Sequence, residues 1–141
     1  MSKIIGYTTG VFDLFHVGHL NILKKSKENC DYLIVGVSTD ELVKDYKKRI
    51  PVTPFEQRAE IIAAIKYVDE VVPQTTMNKI IAWKKLHFHK MFHGDDWKGS
   101  EMWNKIESEF RKIDVEIVYF PYTKDISTTS LKNTISNGKF I

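Results

Sequence analysis

The sequence has little that would staple, anchor or wrap it. One of its 141 residues is cysteine, Cys30, so no disulfide can form within the chain. A reducing compartment fits, and the cytoplasm is the expected location. No apolar run approaches the ~20 residues of a membrane helix. The first residues run straight into an apolar, strand-like segment rather than a signal peptide. Linkers, internal repeats and low-complexity tracts are absent, so residues 1–141 are read as one domain. Excess charge is also scarce. The net charge of +3 suits anionic small molecules but lacks the dense basic patch of a nucleic-acid binder, so neither a nucleic-acid nor a membrane partner is expected.

What is present is ordinary for a folded soluble domain. Hydrophobic residues make up 43% and charged residues 28%, and a chain of this size can bury a core without staples. Apolar runs alternate with helical patterns along the whole chain. Strands are expected over residues 3–8, 32–37, 69–72, 90–93 and 116–120. Helices are expected over 18–28, 39–46, 54–66, 78–86, 101–112 and 128–136. Short strands separated by helices imply βαβ units with right-handed crossovers. The expected fold is α/β: a doubly wound, Rossmann-like, five-stranded parallel sheet with helices on both faces. Thr53-Pro54-Phe55-Glu56 reads as a capping box with proline at the first helical position. The segment 44–52, with Lys44, Lys47, Lys48 and Arg49 ahead of Pro51, reads as a mobile basic loop.

Three segments that follow expected strands carry the chemistry. The first is Thr8-Thr9-Gly10-Val11-Phe12-Asp13-Leu14-Phe15-His16-Val17-Gly18-His19. It reads as strand, turn and helix start, and a helix start attracts phosphate through its unpaired N–H groups. His16 and His19 are three apart and share a helix face. Gly18 removes a side chain where phosphate would approach. Zinc held by these histidines with His87, His89 or His93 is the competing reading. The usual helical zinc signature, however, spaces its histidines four apart around a glutamate, and no cysteine cluster supports it. No metal ligand is assigned.

The second segment is His93-Gly94-Asp95-Asp96-Trp97-Lys98-Gly99. Its carboxylates and indole could read a base or hold a cation, or could simply cap a helix and close the core. The third is Ile126-Ser127-Thr128-Thr129-Ser130, a hydroxyl cluster at a helix start and a second phosphate cradle. In such a sheet, ligands bind outside the carboxyl ends of the strands, where these segments would converge. Arg58 taken alone reads as a solvated surface charge. Trp83 and Trp103 read as core, and Cys30 as a small buried residue.

With the three motifs in this order, the chain resembles the cytidylyltransferase family of HxGH nucleotidyltransferases, and within it the bacterial glycerol-3-phosphate cytidylyltransferases. Gly36-Val37-Ser38-Thr39-Asp40-Glu41, Gln57-Arg58 and Tyr67-Val68-Asp69-Glu70-Val71 extend the match over nearly the whole chain. The resemblance implies transfer of CMP from CTP to a phospho-alcohol such as glycerol 3-phosphate, with release of pyrophosphate and no covalent enzyme intermediate. It places His16, His19 and Lys44 (or a neighbouring lysine) on the reacting phosphates. Thr9, Gly10, Phe12, Gly18, Asp95, Trp97, Ser127 and Thr128 would surround the nucleotide. Arg58 would hold acceptor or nucleotide phosphate, Mg2+ would accompany CTP, and two copies would form a homodimer. The family's last motif reads Arg-Thr-Glu-Gly, where this chain has Tyr122-Thr123-Lys124-Asp125. A phenol does not replace an arginine fork on phosphate, and Lys124 returns the charge only as a point. The acceptor therefore stays open among phosphorylated alcohols. An adenylyltransferase using ATP and a nucleotide-binding protein without catalysis are the alternatives. A tRNA synthetase is excluded by size and by the lack of a Lys-Met-Ser-Lys-Ser-like segment.

Overall fold

The computed structural model describes residues 3–94 and 99–121. Their order is β1 (Ile5–Gly10), α1 (Val17–Glu28), β2 (Tyr32–Ser38), α2 (Asp40–Lys47), α3 (Phe55–Ala63), β3 (Glu70–Gln74), α4 (Lys79–Leu86), β4 (Lys90–Gly94), α5 (Glu101–Arg111) and β5 (Glu116–Phe120). The strands form one sheet in the order β3-β2-β1-β4-β5, and every pairing is parallel. This is the expected doubly wound sheet. Its order reverses between β1 and β4, and a crevice opens at their carboxyl ends.

Strand alternation builds two cores. Leu33, Val35 and Val37 of β2 share one face with Phe92 of β4, packed on Leu23 of α1 and Ile62 of α3. Tyr7, Ile34 and Met91 face the other way, onto Trp103 and Phe110 of α5 and onto α4 through Trp83 and Leu86. The middle strands are apolar on both faces because helices cover both. Trp103 is buried and Trp83 half-buried, as expected.

Several boundaries differ from the sequence reading, each for a local reason. β1 starts two residues later than residue 3 and runs on to Gly10. The Ile4 N–H bonds the Asp31 carboxylate instead of a ladder partner, while Gly10 still pairs with Val37. β3 continues through Pro73 to Gln74. It lies at the sheet edge, where the missing proline N–H is tolerated.

The capping box at Thr53 does not form. Pro54 is the N-cap and makes no side-chain cap bond. A carboxylate from another element serves instead, because Asp40 Oδ2 accepts the Phe55 N–H at 3.3 Å. The same helix stops at Ala63 rather than residue 66, and Ile65 and Val68 continue in i→i+3 bonds that bring both onto the core. The basic segment expected as a loop from residue 44 is helical as far as Lys47, and Lys48 ends α2 in the left-handed conformation. Cys30 is half-buried against the core edge, with its thiol on the Ser26 carbonyl. The expected helix over residues 128–136 lies outside the described residues.

Candidate active site

The site begins where β1 ends. After Gly10 the chain turns through Phe12 (φ +55°) and Leu14 (φ +48°), two bulky residues in the left-handed region. Such a conformation costs roughly 1–2 kcal/mol per residue and persists only where its surroundings fix it. They do so here. The Phe12 ring packs in the core, and buried Asp13 accepts the Val52 and Thr53 N–H groups at 2.8 and 2.9 Å.

This turn delivers the two histidines to the start of α1. His16 is the N-cap, and its Nδ1 accepts the Gly18 N–H at 3.0 Å. His19 Nδ1 accepts the His16 N–H at 3.3 Å, so the two side chains close a reciprocal capping box. The rings stack 4.0 Å apart. Burial lowers the pKa of His16. Burial, with the neighbouring His16 as the second cause, takes His19 down to about 4 against a smaller upward pull from Asp13. Both rings are therefore neutral at neutral pH. Because each Nδ1 accepts, each proton sits on Nε2. Nε2 of His16 is a buried donor with no hydrogen-bond partner among the described residues. Two preset N–H donors at a helix N-terminus suit an anionic oxygen.

A cavity of about 550 Å3 opens beside His19; His16 is not among its lining residues. Thr8, Thr9 and Gly10 of β1, Phe12, Asp13 and His19 line it on the histidine side. Ser38, Tyr46, Lys47, Arg49, Gln74, Met77 and Lys79 line the β2–β3 side, and His93, Gly94, Met102 and Trp103 the β4–β5 side. The His93 ring lies 4.3 Å from that of Trp103. Three cations, Lys47, Arg49 and Lys79, face one carboxylate, Asp13, among the described lining residues.

Lys79 is the unusual one. It is 4% exposed, and its ammonium donates to Thr9 Oγ1 at 3.0 Å. Burial lowers its pKa to about 8. No sequence expectation named it, although one signal was present. Asn78 caps α4, which puts Lys79 at the first helical position, where the helix dipole disfavours a cation.

The other expected site residues fall as follows. His19, Thr9, Gly10 and Phe12 line the cavity. Gly18 lies in the first turn of α1, with its N–H already given to His16. Lys44 is an exposed residue of α2 and is not among the lining residues; Lys47 and Arg49 of the same basic run are. Arg58 is not a solvated charge. It is 1% exposed, because four N–H···O bonds to protein oxygens compensate its burial. Asp95, Trp97, Tyr122, Lys124, Ser127 and Thr128 lie outside the described residues.

The cytidylyltransferase-like family model matches residues 7–134. The chain is 38% identical to the glycerol-3-phosphate cytidylyltransferase of Bacillus spizizenii over 138 residues, 97% of this chain and 99% of that one. It is 40% identical to the FAD synthase of Thermococcus kodakarensis over 128 residues, 86% of this chain and 82% of that one. The crystal structure of a lipopolysaccharide core biosynthesis protein from Thermoplasma volcanium superposes with a TM-score of 0.76 at 27% identity, covering 87% of this chain and all of that one. With histidines and cations gathered at the crevice of a 3-2-1-4-5 sheet and a family match over nearly the whole length, this chain belongs to the cytidylyltransferase-like family and is a nucleotidyltransferase.

Proposed function

We propose that the protein transfers CMP from CTP to a phospho-alcohol, with glycerol 3-phosphate the first candidate. One observation carries this reading: one cavity is lined both by His19 at the start of α1 and by the buried Lys79 ammonium with Lys47 and Arg49. Two anions can thus be held against each other. The triphosphate would lie on the helix start, with the Nε2–H groups of His16 and His19 on its oxygens. The acceptor phosphate would lie on Lys79. An oxygen of that phosphate forms a bond to the α-phosphorus. The bond from the α-phosphorus to the bridging oxygen breaks, and pyrophosphate leaves with the electron pair. A phosphate dianion needs no base to attack, so the protein's work is positioning and charge stabilisation.

Thr9, Gly10, Phe12 and Gly18 would shape the triphosphate side, as the family resemblance implies. Asp95 and Trp97 would lie beside the cytidine, Ser127 and Thr128 on the β- and γ-phosphates, and Lys124 near the acceptor. Lys47 and Arg49 take the place first given to Lys44. Arg58 bonds protein oxygens where a phosphate contact was expected. Among the described residues no group of three metal-ligating side chains exists, and both Asp13 oxygens accept backbone N–H groups. Magnesium would enter on the triphosphate, where it would neutralise phosphate charge. The same reading takes residues 1–141 as one domain, paired with a second copy, in the cytoplasm. No helix among the described residues is long and apolar enough to cross a membrane.

The test is product analysis with CTP or ATP, magnesium and a panel of glycerol 3-phosphate, phosphocholine, phosphoethanolamine and FMN. CTP with glycerol 3-phosphate should release pyrophosphate and give CDP-glycerol. A second reading, adenylyl transfer to a flavin, is favoured by the similarity to FAD synthases. Turnover of ATP with FMN in preference to CTP with any phospho-alcohol would establish it instead. No pyrophosphate with any pair would leave a nucleotide-binding protein. Light scattering on the 16.4 kDa chain tests the pairing.

A further inference from the structure

The guanidinium of Arg58 is turned entirely to protein, and its four partners come from different segments. Nη1 donates to the Val11 carbonyl at 2.7 Å, in the turn that leads to the histidines. It donates as well to the Ser38 carbonyl at 2.8 Å, at the end of β2. Nη2 pairs with Asp40 Oδ1 at 2.6 Å, on the first residue of α2. Nε donates to the Thr53 carbonyl at 2.8 Å, beyond the basic segment.

Asp40 and Asp13 complete the frame. The other Asp40 oxygen accepts the Phe55 N–H, and Asp13 in the histidine turn holds the Val52 and Thr53 N–H groups. Residues 40–53, which carry Lys47 and Arg49 into the cavity, are thus tied at both ends to the turn that carries His16 and His19. Among the described residues, Arg58 is the one side chain that bonds both ends and the turn together. It is itself absent from the cavity lining. A planar fork with five N–H groups spread over three nitrogens can hold four oxygens in fixed directions, whereas an ammonium has only three N–H groups on one nitrogen.

We propose that Arg58 is a positioning residue for nucleotidyl transfer: it fixes the distance between the histidine turn and the Lys47–Arg49 segment, and acts on the reaction only through them. This rests on the nucleotidyl-transfer reading, and it replaces the expectation that Arg58 holds phosphate. Misplacing a reacting group by about 1 Å costs on the order of 10²-fold in rate. A tether of this kind therefore matters to turnover even though it touches no substrate.

The test is a double-mutant cycle on the full chain, using CTP with whichever phospho-alcohol the wild type turns over. It is run below the melting transition of every variant. Arg49→Ala should lower kcat/KM about 30-fold in the wild type but less than about 3-fold in Arg58→Lys, because the second background has already released the segment that Arg49 sits on. CTP affinity by calorimetry should change less than about 3-fold in Arg58→Lys, since the residue does not touch nucleotide. Asp40→Asn keeps the side-chain shape and removes only the ion pair. It should show the same non-additivity in smaller measure, and it serves if Arg58→Lys does not fold. Losses that simply multiply, or a CTP affinity lowered more than tenfold, would overturn the proposal.

Amide hydrogen exchange separates this outcome from failure of the functional reading. Residues 44–54 should exchange at least about tenfold faster in the variant, with α4 and α5 unchanged. Unchanged exchange over 44–54 would sink the tether whether or not the protein transfers CMP.

Discussion

Burying the Lys79 ammonium against one hydroxyl destabilises the folded protein, and a bound anion would reverse this. Replacing it by methionine should therefore separate stability from function. Lys79→Met should raise stability by about 2 kcal/mol in denaturant titrations while lowering kcat/KM for the acceptor tenfold or more. A variant that is both less stable and fully active would defeat the role given to Lys79. The pH dependence has a definite sign. Between about 8, the folded value, and 10.5, the ordinary value for lysine, the unfolded chain holds a proton that the folded protein lacks. Stability from this group therefore rises with pH across that window, and Lys79→Met should remove the rise. For His19, lowered to about 4, the unfolded chain binds the extra proton between about 4 and 6.5, so stability falls as pH drops through that range. NMR should show the His19 ring titrating near pH 4, with CTP moving the midpoint upward. His16 combines a cap with a proposed phosphate donor. His16→Asn keeps a good N-cap and should melt near the wild-type temperature, yet turn over on the order of 10²-fold more slowly. Normal turnover would reduce His16 to a cap.

At the scale of the element, α2 shows how one basic run divides by distance along the chain, with only its end reaching the cavity. Lys44 and Lys47 are both in its last turn, but only Lys47, with Arg49 just beyond the helix end, lines the cavity. Lys47→Ala and Arg49→Ala should each lower kcat/KM tenfold or more. Lys44→Ala, at an exposed position, should stay within about threefold in the same assay. β2 is constrained by its neighbour. A Cβ on Gly36 would lie 2.5 Å from the Tyr7 hydroxyl, whose pKa burial pushes up to about 12. Both groups are held in the sheet, so neither can move aside cheaply. Gly36→Ala should cost about 2 kcal/mol by overpacking, measured by thermal or chemical unfolding.

At the scale of the whole molecule, ligand binding should tie the loops of the crevice together. CTP at about 100 times its Kd should stabilise the protein by about 2.7 kcal/mol, and a thermal-shift series should show CTP exceeding ATP. The reverse order would favour the flavin reading. The parallel sheet, its five strands and, to within one residue, the helix starts expected at Gly18 and Asn78 and found at Val17 and Lys79 were legible in the chain, because local periodicity and turn chemistry set them. The histidine pair was legible too, since three-residue spacing at a helix start puts both rings on one face whatever the rest of the fold does. Lys79, the inward turn of Arg58 and the choice of Lys47 over Lys44 were not. Each depends on which segment, distant in sequence, lies opposite. Lys79 meets Thr9 seventy residues away, and Arg58 meets Val11 at a separation of 47. By itself the sequence determined the sheet, the family and the histidine pair, because neighbouring residues decide those. Tertiary structure alone decided which cations enter the cavity and which are spent on the protein, because a charge is assigned by the partner that desolvates it, and that partner comes from elsewhere in the chain.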